Sequence, residues 1–159
     1  MAISSPPMPR DPRRLIVLSL AFAASSCSLT QVEEATGIRP TVQGDIVWRV
    51  PDGSQVAFAD AECVSGDRAS FRGVDLIAPG WVLRVAADPL EGIGAAVIRR
   101  DDGGRHVFRA ADCSTLSGDV QRTGWQVNDV WDVSGHLAAD CRLDSGAELV
   151  GEISFTHCH

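Results

Sequence analysis

The residues best suited to metal chemistry stand at the end of the sequence, in the run His157, Cys158, His159. A thiolate and two imidazoles are ligands that zinc prefers. Neighbouring strand residues point to opposite faces, so Cys158 cannot share a metal ion with either flanking histidine, and a cysteine in a disulfide is no ligand. His157 and His159 can share a face, but two ligands make a weak site. We predict no metal site and no cofactor.

The acidic pair Asp101 and Asp102 is the next candidate, because paired carboxylates can work as a general acid and base. Asp101 and Asp102 stand before Gly103 and Gly104, where Asp suits the geometry of a turn. Asn128 and Asp129 form a second short polar pair and have the same interpretation, so we predict two solvated turns.

His106 and His136 are the histidines that remain, and both fall on polar faces of predicted strands. No serine or cysteine nucleophile stands at a recognisable spacing from either of them. We predict no catalytic residue and no enzymatic activity. The alternative, a secreted hydrolase or metal-dependent enzyme, requires a deep pocket that gathers His106 or His136 with carboxylates.

Four tryptophans could offer a stacking surface for a sugar, although tryptophan in a β-sandwich more often packs in the core or at the rim. We predict packing for Trp48, Trp81 and Trp131. For Trp125, which follows Gly124 near a predicted turn, packing and exposure are evenly balanced. A carbohydrate-binding module, a further alternative, predicts Trp125 exposed on a flat face.

Cys27 follows a segment with the three regions of an export signal. Arg10, Arg13 and Arg14 are basic, residues 15–24 are apolar, and residues 24–26 are small. At about 1.5 Å per residue, the apolar run reaches about 15 Å, half of a hydrocarbon core of about 30 Å. The run is therefore a signal segment and not a permanent anchor.

The small residues before Cys27 are similar to a bacterial lipobox, in which cleavage before the cysteine follows its modification with a diacylglyceryl group. We therefore predict a signal peptide at 1–26, a lipidated Cys27 with a tether over 27–44, and a folded domain over 45–159. Ordinary cleavage after Ala23, within the pattern Ala21, Phe22, Ala23, is the alternative.

The other four cysteines, Cys63, Cys113, Cys141 and Cys158, form an even set that allows three disulfide connectivities. Residues 131–142 and 148–155 alternate apolar and polar side chains around a turn at 144–146, which predicts a hairpin with Cys141 opposite a residue near Leu149. Cys158 then lies about nine residues, roughly 30 Å, further along, too far for a bridge to Cys141. Pairing Cys63 with Cys158 and Cys113 with Cys141 stays open beside the crossed alternative.

The charge of the mature chain argues against two classes of partner. Cleavage removes three Arg and one Asp, which leaves 11 basic and 20 acidic side chains, a net charge of −9. An acidic protein repels nucleic acid and anionic headgroups, so we predict neither as a partner. The predicted partner is the membrane, through the lipid, and we predict a monomer.

The domain is predicted to be all-β, an antiparallel β-sandwich of about eight or nine short strands that is disulfide-braced. Turn residues separate the β-prone runs, and glycines inside them, Gly94, Gly135 and Gly151, suggest bulges or close packing between strands. The predicted strands are 45–50, 55–64, 69–77, 81–87, 93–99, 105–110, 118–125, 130–142 and 147–158.

A lipidated cysteine, a polar tether, the run Ala61, Glu62, Cys63, and the late runs 130–135 and 151–158 together resemble the mycobacterial lipoprotein antigen family. The resemblance implies a small β-sandwich in which the early and terminal cysteines are bridged, which corresponds to Cys63 with Cys158. Cys113 with Cys141 follows only by elimination.

Members of that family are surface lipoproteins without an established enzymatic activity, known for provoking host immune recognition through their acyl chains. The prediction is therefore a lipid-anchored protein of the bacterial cell envelope, outside the cytoplasm, at the outer membrane or cell surface. Its role would be that of a binding or structural surface component with a protein or glycan ligand that the sequence does not identify.

Overall fold

The computed structural model describes residues 39–159. The predicted signal segment, Cys27 and residues 28–38 of the predicted tether lie outside the described residues. Within the described part of the chain, no helix has the length and apolar character needed to cross a membrane.

Ten strands form two antiparallel five-stranded sheets, so the predicted all-β sandwich is confirmed with one strand more than expected. The first sheet has the order β2-β1-β10-β9-β8, and the second has the order β3-β4-β5-β6-β7. Two short 3₁₀ turns, Gly66–Ala69 and Ala110–Asp112, accompany them. The strands are β1 Thr41–Arg49, β2 Gln55–Ala57, β3 Glu62–Ser65, β4 Gly73–Ala78, β5 Trp81–Asp88, β6 Gly92–Arg99, β7 Arg105–Phe108, β8 Cys113–Val127, β9 Val130–Arg142 and β10 Glu148–Cys158.

The extra strand arises because the predicted strand 55–64 is two strands in different sheets. β2 pairs with β1 in the first sheet, and β3 pairs with β4 in the second. Between them, Phe58 is fully buried, and its backbone N–H donates to the carbonyl of Ile46 at 3.1 Å. The residues that face the core have even numbers up to Phe58 and odd numbers from Ala61 through β3. The chain crosses from one sheet to the other at this break in the alternation.

Three predicted boundaries also move, one of them at β8, which begins at Cys113 and not at residue 118. β1 begins at Thr41, opposite Thr156 of β10, so the sheet includes residues that were predicted to belong to the tether. β4 begins at Gly73 and not at residue 69, because Gly66–Ala69 forms a 3₁₀ turn that ends at Ser70, whose φ is +60°.

The core lies between the two sheets, and the predicted hairpin supplies one wall of it. Leu137, Ala139 and Cys141 of β9 are buried, whereas His136 and Asp140 are exposed, which confirms the predicted alternation over this part of the strand. The largest fully buried side chains are Trp48, Phe58, Phe108, Phe155, Ile46, Leu76, Leu83, Leu137, Leu149 and Ile153.

The two disulfides have different positions in the sandwich. Cys63 of β3 is joined to Cys158 of β10, with Cα atoms 5.1 Å apart, so this bridge links the two sheets inside the core. Cys113 of β8 is joined to Cys141 of β9 within the first sheet. Cys141 stands opposite Leu149, as the hairpin predicted. Of the two connectivities that the sequence left open, the structure has the uncrossed one.

Candidate functional site

A wide irregularity in the β8–β9 hairpin creates the most chemically distinctive place in the described structure. Arg122 stands opposite Val133, and Gln126 stands opposite Trp131, so three residues of β8, positions 123–125, face the single residue Asp132 of β9. Bulges of this kind end regular pairing and redirect side chains, and they occur often beside functional sites.

Asp132 is buried, and polar side chains from two other strands contact its carboxylate. The side chain is 3% exposed. Thr123 donates from Oγ1 to Asp132 Oδ2 at 2.6 Å, and His157 donates from Nδ1 to the same oxygen at 3.2 Å. His159 Nδ1 lies 4.0 Å from Oδ1. We call these four residues, Thr123, Asp132, His157 and His159, the Asp132 cluster.

The end of β10 brings both histidines to Asp132. The pairing of β10 with β9 shifts register between Phe155 and Cys158, and His157 has a φ of +59°. This irregularity lets Cys158 enter the core while His157 turns towards Asp132. His159 is buried, and its Nδ1 donates to the carbonyl of His157 at 2.9 Å.

The structure places Asp132 differently from what strand alternation suggests. Asp132 lies on the predicted polar side of β9, yet it is buried because the bulge and His157 cover it. The Oδ1 atom of Asp132 has no hydrogen-bond partner among the described residues, which is costly for a buried carboxylate oxygen. Such a buried carboxylate with an oxygen that has no hydrogen-bond partner is a candidate for function.

An aspartate that orients a histidine supplies two of the three members of a hydrolytic triad. The hydroxyl nearest to the pair belongs to Thr123, but it donates to Asp132 and is not in a hydrogen bond with the imidazole. The hydroxyl of Ser134 accepts from the backbone N–H of His157 at 3.4 Å. In the part of the chain that the structure describes, no group of three or more His, Cys, Asp and Glu side chains is arranged to hold a metal ion.

The two histidines singled out earlier lie elsewhere and apart from each other. His136 Nδ1 contacts Asp119 Oδ1 on the surface of the first sheet, where both side chains are well exposed. The predicted polar face is wrong for His106 of β7, which is half-buried on the same side of the strand as Phe108 and is packed near Trp48, with ring centroids 5.3 Å apart. They are therefore not brought together in one pocket.

A shallow groove of about 460 Å³ lies on the outer face of the second sheet and is mostly apolar. Ala86, Gly94 and Ala96 form its floor, and no histidine, cysteine or serine is among its lining residues. Arg84 at its edge makes two 2.8 Å hydrogen bonds to Asp75, which raise the pKa of the guanidinium. This charge is already paired, and the groove offers apolar contact with charged side chains at Asp88, Glu91 and Arg109.

The acidic pair and the second polar pair are in turns, as predicted. The backbone N–H of Gly104 donates to Asp102 Oδ1 at 2.8 Å, and this bond lowers the pKa of the exposed carboxyl group. Asn128 and Asp129, with φ of +51° and +64°, connect β8 to β9. Positive φ at both central residues is typical of a type I′ hairpin turn.

The tryptophans divide into three that pack and one that does not. Trp48 is buried, and the half-buried Trp81 lies 4.3 Å from it between ring centroids. The guanidinium of Arg122 lies 5.2 Å from the ring centroid of Trp131, whose backbone N–H donates to Asp67 at 3.2 Å. Trp125 is 64% exposed.

Comparisons of this chain with protein-family models, with curated proteins and with solved structures found no match. The resemblance to the mycobacterial lipoprotein antigens therefore stays a prediction from the sequence.

Proposed function

We propose that this chain is a lipid-anchored lipoprotein of the bacterial cell envelope, and that its sandwich acts as a binding or structural surface component. The observation that carries the proposal is the pairing of cysteines. Cys63 with Cys158 and Cys113 with Cys141 use all four cysteines of the domain. The chain has five cysteines, so none of the four in the domain is available to pair with Cys27, which lies outside the described residues.

An unpaired cysteine has a chemical reason to exist if its sulfur carries a lipid. Two structural disulfides are typical of proteins that fold in an oxidising compartment, outside the cytoplasm. A reactive thiol in the same compartment would invite mixed disulfides, whereas a thioether to diacylglycerol is inert to exchange. The disulfides thus support both the export of the chain and the lipidation of Cys27.

A binding or structural role agrees better with the described side chains than hydrolysis does. The Asp–His pair lacks a hydroxyl or thiol in contact with its imidazole, and the groove on the second sheet contains no histidine. A secreted hydrolase or metal-dependent enzyme is therefore the weaker proposal.

The anchoring proposal is tested by intact mass spectrometry of the protein extracted from membranes, beside a Cys27→Ala variant. We expect a diacylglyceryl mass on the first cysteine of the wild-type chain, and release of the variant from the membrane fraction. Cys113→Ala with Cys141→Ala is the matched control, because it also removes cysteine, breaks the bridge with the smaller expected cost and should leave the lipid in place. A soluble wild-type protein that begins at Ala24 and carries no lipid would refute the proposal.

A further inference from the structure

Trp125 is the only large aromatic side chain that is exposed among residues 39–159. The fold makes no use of this indole, although burying a large apolar side chain is worth about 1.5–3 kcal/mol. The other two exposed large apolar residues, Leu90 and Val107, lie on the second sheet or its turns. Trp125 is therefore a single aromatic surface and not part of an extended apolar patch.

The backbone that presents Trp125 has a specific and fixed conformation. Gly124 has a φ of +88°, and a Cβ at this position would meet no atom within 4 Å, so glycine is needed here for its conformation and not for space. The adjacent Thr123 is held by the hydrogen bond to the buried Asp132. The bulge is thus held on one side by the hydrogen bond of Thr123 to Asp132. On the other side it continues into the tight turn between β8 and β9.

Polar residues stand on both sides of Trp125 in the sequence of the hairpin end. Gln126, Asn128 and Asp129 provide hydrogen-bond donors and acceptors, whereas Arg122 and Thr123 are already bonded to Asp67 and Asp132. The side chain of His157, which is hydrogen-bonded to Asp132 as Thr123 is, is 42% exposed. The exposed polar residues of this hairpin end are Arg122, Thr123, Gln126, Asn128 and Asp129.

An isolated indole among hydrogen-bonding groups matches the chemistry of a sugar. The C–H face of a pyranose ring is apolar and stacks on an aromatic ring, while its hydroxyls need donors and acceptors at the edge. A protein partner would be expected to contact a larger apolar centre. The domain would be repelled by an anionic lipid surface, because residues 39–159 contain 11 Arg against 18 Asp and Glu and so carry a net negative charge.

We infer that the end of the β8–β9 hairpin is a binding site for a neutral glycan, in which a pyranose ring stacks on Trp125 and its hydroxyls hydrogen-bond to the neighbouring polar side chains. The bulge that Asp132 fastens holds the indole ready for this contact, so that little ordering is needed on binding. The inference goes beyond the proposed anchoring and does not depend on it.

The test uses the full chain with Cys27→Ala, which carries no lipid at that position whether or not the anchoring proposal is correct. Binding of two neutral probes, chitotetraose and maltotetraose, is measured by titration calorimetry and by tryptophan fluorescence. We expect at least one probe to bind and to shift the tryptophan emission to the blue. Trp125→Ala should weaken that binding at least about tenfold, which corresponds to about 1.4 kcal/mol.

Two further variants separate stacking from other effects. Trp125→Phe keeps an aromatic face and should retain most of the affinity, whereas Leu90→Ala, the matched loss of an exposed apolar side chain, should leave binding unchanged. Unfolding in urea should give the same midpoint for all three variants and the parent, because both sites are exposed.

Two results would overturn the inference. One is the failure of both oligosaccharides to bind the parent chain, and the other is unchanged binding by Trp125→Ala. If neither sugar binds and Trp125→Ala instead lowers association with vesicles of neutral phosphatidylcholine, the indole is a membrane contact and the glycan site is wrong.

Discussion

At the scale of the residue, two aspartates stabilise the end of the hairpin in different ways. Asp132 is buried and accepts from the side chains of Thr123 and His157. Asp67, which lies in the 3₁₀ turn after β3, accepts from the guanidinium of Arg122 at 2.7 Å and from the backbone N–H of Trp131. Asp132 thus joins Thr123 and His157 within the first sheet, whereas Asp67 ties the hairpin to the segment between β3 and β4 of the second sheet.

Thr123→Val tests the Asp132 cluster without a large change of shape. The variant removes the 2.6 Å hydrogen bond to a buried carboxylate oxygen, and such bonds to charged groups contribute about 1.5–3 kcal/mol. We expect a loss of this size in the free energy of unfolding, measured in urea. Thr115→Val, at an exposed position of the same strand, is the control and should change stability by less than about 0.5 kcal/mol. Equal stabilities of the two variants would contradict the role given to the cluster.

At the scale of the element, glycines determine how closely the strands of the first sheet approach. A Cβ at Gly151 of β10 would overlap the carbonyl oxygen of Asp45 in β1, and one at Gly135 of β9 would overlap that of Asp119 in β8. Close packing is thus confirmed for these two glycines. The prediction of close packing is wrong for Gly94 of β6, where a Cβ would meet no atom within 4 Å. Gly94 instead belongs to the floor of the groove on the second sheet.

Gly151→Ala should be among the most damaging small substitutions in the domain. The residue combines a φ of +130° with the overlap on Asp45, so the variant adds backbone strain and a steric clash. We expect a loss of about 3 kcal/mol in urea unfolding, at the upper end of the cost of overpacking. Gly53→Ala is the matched control, because its φ of +88° imposes strain while the space around it is open. Its expected cost is about 1 kcal/mol, and the reverse order would show that crowding at β10 is not the cause.

At the scale of the whole molecule, one disulfide bridge links the two sheets. Cys63–Cys158 closes a loop with a sequence separation of 95 residues, and Cys113–Cys141 closes one of 28. The first joins the two layers through the core, while the second reinforces a strand pair that hydrogen bonds already hold together.

Removing each bridge should therefore have unequal effects. From loop-closure entropy alone, the pair Cys63→Ala with Cys158→Ala should cost about 4.7 kcal/mol, and Cys113→Ala with Cys141→Ala about 3.6 kcal/mol. Loss of the buried contacts of Cys63 and Cys158 should widen the difference between the two losses of stability. Urea unfolding of both double variants measures it. A larger loss for the pair within the first sheet would argue against the inter-sheet bridge as the main brace.

The amino-acid sequence by itself determined the features that depend on local order. Alternation over residues 136–141 predicted the hairpin and its register, because side chains in a strand change face at every residue. Glycine and aspartate marked the turns, since they favour the backbone angles that turns require. The same alternation changes phase after Phe58, so the division of residues 55–64 between two sheets was present in the sequence but went unrecognised.

Only the tertiary structure decided the candidate sites. Thr123, Asp132 and His157 come from three strands, and their contact depends on two irregularities of the sheet that no local pattern specifies. A single acidic residue among Val130, Trp131 and Val133 was the available signal, but alternation placed it towards solvent. Burial of Asp132 and exposure of Trp125 follow from how the hairpin end packs against the rest of the fold, and such long-range packing is not encoded by the spacing of neighbouring residues.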